Sequence, residues 1–559
     1  MPSIAETLAQ QLHEAGARRV YGLPGGENVD VLDALWRRDM QFILVANESS
    51  ACFMAAAEAR LTGGIGVALT TLGPGASNAC AGLAHACLDR APVLLITAAS
   101  DPALRDKHSH QALDLQTLFA PICKLSAELA PAGATAVIQQ VLRLMRTGRP
   151  GPAHLSLPSR LASLPCPAAA TSHPSATPAP QNPPLREVRA LLADKRKPII
   201  VLGLGLEPSR PYAQIRQLAE SLGSPVIDTP KSKGALSAAH PLFAGTIGLT
   251  RSDPAYALLD EADCIIALGF DVVELVKPWD YETPLLWVAD WHNHDPKLDC
   301  AIEVVGDIGK MLAALGKLTA STAADWGAAR VRRLREGLAA RSTPKAAAGR
   351  ISPQDFLASL REHSPTDIIV TSDVGSHKIF AALEWQPRQP NRYLVSNGLS
   401  AMGYGLCSAI AAAHVMRQPV VCITGDAGLA MVMGELGLLP RLGLSILVAV
   451  MNDSALDLIR SAQRRRGVAT VGTEFVNPDY RQVAAAYGLA YQRVESRADC
   501  DAGIQSWLRQ GGAMLLDVLL DPAGYPTSAG CQHSPLPRAA GRGRTRDPGA
   551  ARRGGGGGG

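Results

Sequence analysis

Short runs of β-branched and aliphatic residues alternate along this chain with longer helical patterns, and the alternation occurs in three separate stretches. Runs at 42–45, 66–71 and 92–97, spaced by Ala-rich helical segments, predict a first α/β unit over residues 1–165. KPIIVLGLG and ADCIIALGF read as buried parallel strands ending in glycine turns, and they place a second unit at 185–318. Runs at 367–371, 419–424 and 445–451 place a third at 350–525. The expected fold class is α/β, with three doubly wound parallel-sheet domains and sites at strand C-terminal ends. Pro, Ala, Ser and Thr dominate 166–184, which reads as an exposed linker, and 319–349 reads as helix plus linker. Residues 527–559 are basic and Gly-rich and cannot build a core, so a disordered tail is expected. An RNA-binding arm fits less well there, because no aromatic residues are interleaved for stacking.

Composition narrows the function classes. A chain of 559 residues exceeds one ordinary core, and 47% hydrophobic with 19% charged residues is a soluble globular profile. A net charge of +4 is small for this length and gives no reason to expect nucleic acid or a membrane surface as partner. No window approaches the roughly 18 uninterrupted apolar residues of a membrane span. The N-terminus reads as an amphipathic helix of the mature protein and not as a signal peptide. Eleven scattered cysteines without a C-x-x-C pair suggest neither a zinc site nor a disulfide framework, so a cytoplasmic location is expected.

The most informative stretch is 420–460. An apolar strand ends at Gly425, Asp426, Ala427 and Gly428, and a helical pattern follows. Small residues there let backbone N–H groups approach phosphate oxygens, and a helix N-terminus favours an anion. A second buried strand ends at Asn452, 26 positions after Asp426, followed by Asp453 and Ser454. Taken singly, each turn reads as an ordinary strand end. As a pair on adjacent parallel strands, Asp426, the Asn452 side-chain oxygen and a backbone carbonyl near Ser454 can share one Mg²⁺ with two phosphates.

The Gly-Asp-x-Gly to Asn spacing resembles the signature of thiamine-diphosphate enzymes, and more closely the acetolactate synthase group. Further motifs across residues 1–525 are similar to that family. The resemblance implies that Glu48 hydrogen-bonds the cofactor's aminopyrimidine, beside a loop containing Gly73, Pro74, Gly75 and Asn78. It implies an active-site glutamine at Gln111, diphosphate contacts from Gly375, Ser376 and His377, and an apolar wedge at Met402. ALGFDVVE and MNDSALDLI are closest to the catabolic, FAD-independent members. Gly203 and Gly205 then read as a tight turn in a structural central domain, with FAD there possible but not favoured.

The expected cofactors are thiamine diphosphate and Mg²⁺, and the expected partners a small-molecule 2-oxo acid and a carbonyl acceptor. The family's pyrimidine-side and diphosphate-side residues meet between chains, which implies a homodimer or homotetramer. Three readings stay open: an acetolactate synthase-like carboligase, a non-ligating 2-oxo-acid decarboxylase or other thiamine lyase, and a non-catalytic paralogue. Asn47 stands where the family commonly has histidine, and Ala427 where it has glycine. The segment 458–463 brings in Arg460 as a cationic candidate near the acceptor.

Overall fold

The computed structural model describes residues 1–103, 107, 109–167, 184–207, 210–315, 326–339 and 346–525. The tail at 527–559 and most of the 166–184 linker lie outside the described residues.

Three six-stranded sheets make up the fold. The first contains β1 (Arg19–Gly22), β2 (Gln41–Leu44), β3 (Gly66–Thr70), β4 (Val93–Ala99), β5 (Ser126–Glu128) and β6 (Ala153–Pro158). The second contains β7 (Pro198–Leu202), β8 (Val226–Asp228), β9 (Phe243–Thr246), β10 (Cys264–Leu268), β11 (Leu285–Ala289) and β12 (Ile302–Val305). The third contains β13 (Ile369–Ser372), β14 (Tyr393–Val395), β15 (Val420–Gly425), β16 (Ile446–Asn452), β17 (Ala490–Val494) and β18 (Met514–Leu519). All their pairings are parallel. Central strands such as β4, β7, β10, β15 and β16 are buried along their whole length. Helices covering both faces explain why these strands read as continuous apolar runs, without polar alternation.

The first and third sheets share one winding, β2-β1-β3-β4-β6-β5 and β14-β13-β15-β16-β18-β17. The central sheet runs β12-β11-β10-β7-β8-β9, the doubly wound order of dinucleotide-binding folds. One hydrophobic cluster joins the first and third sheets. At its centre the helix Glu48–Thr62 packs on the helix Tyr404–Met416. Both are buried nearly all round and rich in alanine, so their axes can approach closely.

Candidate functional site

In the third sheet β13 and β15 are neighbours, yet their onward connections leave in opposite directions, to β14 and β16. Such a switch point opens a crevice at the carboxyl edge. Gly375, Ser376, His377, Met402, Gly425, Asp426, Ala427 and Gly428 line one pocket there, with Tyr525 and Leu458 on its walls. A Cβ on Gly425 would stand 2.8 Å from the His377 ring, so the glycine is what admits the imidazole. Burial pushes His377 down to about 3, which keeps it neutral, and its Nε2 has no partner among the described residues. The helix that begins at Ser376 presents its N-terminus there, which suits an anionic group. Asp373 is an internal clamp: its carboxylate accepts from Gly403 N, Val374 N and Thr424 Oγ1, fixing the loop that carries Met402.

Behind the pocket, oxygen atoms converge. Asp426 Oδ2 accepts from Ser454 N–H at 2.8 Å, and Asn477 Nδ2 lies 2.8 Å from Asp426 Oδ2 and 2.9 Å from Asn452 Oδ1. Asn452 in turn donates through Nδ2 to Asp517 Oδ1 at 2.7 Å, which sets the amide so that its oxygen accepts from Asn477 Nδ2, the group that also reaches Asp426. One carboxylate and one amide oxygen, both held by neighbours, fit a hard cation that takes its remaining ligands from phosphate and water. The Ser454 carbonyl accepts from Phe475 N–H, which leaves a second lone pair, while its N–H and hydroxyl face the Asp426 side.

A second cluster forms at the carboxyl edge of the first sheet. Glu48 opens its helix, is 8% exposed, and accepts from Asn78 Nδ2 at 3.1 Å. A Cβ on Gly75 would meet Glu48 Oε1 at 3.2 Å, and one on Gly73, at φ 56°, would meet Gln111 Cβ at 2.8 Å. Glu48, Gly73, Pro74, Gly75, Asn78 and Gln111 therefore stand together, although residues 104–106 and 108 of the loop before Gln111 lie outside the described residues. None of the residues lining the third-domain pocket comes from this cluster.

Residues 2–118 match the thiamine pyrophosphate enzyme, N-terminal TPP binding domain; 185–315 match the central domain, and 373–518 the C-terminal TPP binding domain. A catabolic acetolactate synthase of Raoultella terrigena is 30% identical over 95% of this chain and 97% of its own. The chain belongs to the thiamine pyrophosphate enzyme family. An acetolactate synthase of Arthrospira platensis is 29% identical over 94% of this chain and 96% of its own. The large subunit of acetolactate synthase isozyme 3 of Escherichia coli is 29% identical over 93% and 95%. As a member of this family the protein is a thiamine-diphosphate-dependent enzyme, and no described helix is long and apolar enough to cross a membrane.

Sequence reasoning missed three residues of this thiamine pyrophosphate enzyme. Asp517 orients Asn452 from β18, 65 positions away, and Asn477 reaches in from a loop. Glu435 accepts from Ala46 N and Asn47 N at 3.1 Å, tying the third domain to the turn before Glu48. Of these, only Asn477 carries a local signal, an Asn-Pro step that marks a loop.

Arg460, the cationic candidate, is buried and ion-paired with Asp457 at 3.1 Å, Asp453 at 4.0 Å and Glu474 at 3.8 Å. Three carboxylates neutralise it, so it offers no free charge to an acceptor.

In the central domain, a Cβ on Gly203 would lie 2.4 Å from Phe270 Cα, and one on Gly205 would lie 2.1 Å from the Trp291 ring. Leu204 N–H, the kind of group that meets phosphate in dinucleotide folds, donates instead to Glu274 Oε2 at 2.8 Å. Packing and the internal Glu274 side chain account for this G-x-G as a tight turn.

Proposed function

We propose that the enzyme decarboxylates a 2-oxo acid, pyruvate first among the candidates, and joins the remaining fragment to a second carbonyl compound, as its acetolactate synthase relatives are named for doing. The observation that carries this reading is the convergence of His377, Met402 and the Asp426–Asn452 pair on adjoining strand ends. Bound thiamine diphosphate supplies the electron sink that lets a 2-oxo acid lose carbon dioxide.

The chain's own residues hold and tune that group. Asp426 and Asn452 would hold Mg²⁺, with the Ser454 turn beside them, while Ser376, His377 and the backbone at Ala427 and Gly428 would receive the diphosphate. Met402 would give the bound cofactor an apolar wall. Glu48, buried at its helix start with Asn78 Nδ2 on Oε2, would hydrogen-bond the aminopyrimidine. Gln111 faces the substrate side of that ring. Exclusion of water by Met402, Leu458 and Tyr525 favours carbon–carbon bond formation over protonation.

The Glu48 cluster of one chain serves the diphosphate pocket of another, so the working unit is a homodimer or homotetramer. Support for this comes from the pocket itself, whose lining residues all belong to the third domain. A full-length chain that is monomeric at assay concentration and fully active excludes the shared site.

One observation favours a second reading. The pocket's lining includes Asp453 and Asp457 but no lysine or arginine, so this wall does not attract a second anionic 2-oxo acid. A neutral aldehyde acceptor, or simple decarboxylation, suits it better. Incubation with thiamine diphosphate, Mg²⁺ and pyruvate separates the readings: acetolactate supports the first, acetaldehyde alone the second. Inert protein across a panel of 2-oxo acids points to a non-catalytic paralogue.

A further inference from the structure

Strand β14 leads into residues 396–402, the loop that ends at Met402. Among the described residues, 397–401 make no backbone–backbone hydrogen bond, so side chains decide where this loop lies. Lys378 Nζ donates to Ser396 O at 2.9 Å and to Ser400 Oγ at 3.1 Å. Ser396 Oγ accepts from Ala401 N–H at 3.0 Å. Ser400 is held at φ 54°, a left-handed conformation that a residue with a Cβ keeps only where its surroundings impose it.

Further grips on the loop come from the other two domains. Asp89, at the end of the first-domain helix Cys80–Leu88, accepts from Gly398 N–H at 2.8 Å. His85 Nδ1, one turn earlier on that helix, lies 3.0 Å from Ser396 Oγ. Asn397 Nδ2 donates to Glu274 O of the central domain at 2.7 Å. A Cβ on Gly398 would stand 2.6 Å from Leu88 O, so the helix end and the loop meet backbone to backbone.

Asp89 is buried, and its second oxygen lies 2.7 Å from Lys231 Nζ of the central domain. Burial alone would push its carboxyl up, but Lys231, His85 and the Gly398 N–H together hold it below its ordinary value. The loop is therefore offered an ionised carboxylate, a stronger acceptor for Gly398 N–H than a neutral group. The same helix follows two residues after Asn78, so it bears on the Glu48 cluster at its start and on the Met402 loop at its end.

We infer that Asp89 is a positioning residue for Met402: a first-domain carboxylate, anchored by Lys231 of the central domain, fixes the third-domain loop that walls the cofactor pocket. This rests on the reading of Met402 as that wall. Without the carboxylate the Gly398 N–H loses its acceptor, and the loop is free to carry Met402 out of place.

The test is NMR of the full chain with methionine ¹³C-labelled at its methyl group, the Met402 signal being assigned by its loss in Met402→Leu. Two double variants differ only in what they offer to Gly398. Asp89→Asn with Lys231→Met removes both charges and keeps an oxygen that accepts from the Gly398 N–H. Asp89→Ala with Lys231→Met removes both charges and the acceptor. Without cofactor, the Met402 signal is expected at its wild-type position in the first and shifted or broadened in the second. Turnover should fall about 100-fold in the second alone, as for other misplacements of about 1 Å. A purely structural ion pair would lower both melting temperatures and leave the Met402 signal alike in both variants, and that result overturns the inference. Should neither double variant fold, Gly398→Ala decides. It keeps Asp89 and drives the loop off Leu88 O, so a wild-type Met402 signal in it overturns the inference as well. The signal needs neither cofactor nor substrate, so protein inert toward 2-oxo acids sinks the functional reading alone.

Discussion

Asn452 and Asp517 are joined by a 2.7 Å hydrogen bond between adjacent strands β16 and β18, and that bond decides which end of the Asn452 amide meets Asn477 Nδ2. Asp517→Ala would free the amide to rotate. Partners that orient a ligand typically cost about 10- to 100-fold in metal affinity when removed. The expected outcome is a loss of that size in Mg²⁺-dependent cofactor binding, read by calorimetry. Unchanged affinity would show that Asn452 needs no orienting partner.

Glu48→Gln keeps the shape and the Asn78 contact but removes the carboxylate. Cofactor binding should persist, while proton exchange at the cofactor's reactive carbon, followed by NMR, should slow roughly 10²- to 10⁴-fold. Exchange at the wild-type rate would remove Glu48 from the chemistry.

Gly75→Ala tests the packing of the first cluster. The added methyl would stand 2.3 Å from Thr71 Oγ1 and 3.2 Å from Glu48 Oε1, so the loop or the glutamate must shift. Turnover is expected to fall at least about 100-fold, as for other misplacements of about 1 Å, with the thermal midpoint changed far less. A variant with wild-type turnover would mean that Glu48 tolerates displacement.

Glu274 gives a pH prediction. Burial pushes its carboxyl up from 4.5 to about 8, so the folded chain keeps this proton where the unfolded chain releases it. Stability linked to this group is present below pH 4.5 and is lost as pH rises through about 8. Glu274→Gln removes the titration and can still accept from Leu204 N–H. The variant's melting temperature should exceed wild type at pH 8 by more than at pH 5. An equal difference at both values would mean that Glu274 does not hold its proton.

Arg460→Met leaves Asp453 and Asp457 buried without their cation. Losing one partner of a buried pair costs about 3–5 kcal/mol, and denaturant melts should show a loss of that order. Burial, with Asp426 and Asp457 nearby, pushes Asp453 up to about 7, so protonation can soften the cost at low pH. The loss should therefore be larger at pH 8 than at pH 6. Near-neutral behaviour at both would show the carboxylates to be well solvated.

The strand runs were legible because parallel strands covered on both faces must be apolar throughout, as β4, β15 and β16 are. Asp426 and Asn452 stood out as candidates because one follows such a strand and the other ends one, where a polar residue has a local signature. Asp517 and Glu435 were not. Each is an acidic residue in an unremarkable context, and its role comes from a partner 65 or nearly 400 positions away. Arg460 misled for the same reason: a sequence displays a charge but not the three carboxylates that neutralise it.

The helices Glu48–Thr62 and Tyr404–Met416 occupy equivalent places, each entering after the second strand of its sheet and leading into the third. Their contact is thus a pseudo-twofold seam folded inside one polypeptide. Neither half is self-sufficient: excising one would strip an alanine-lined surface from the other and leave it exposed to water. A split version of this protein should be recovered only when both pieces are made together.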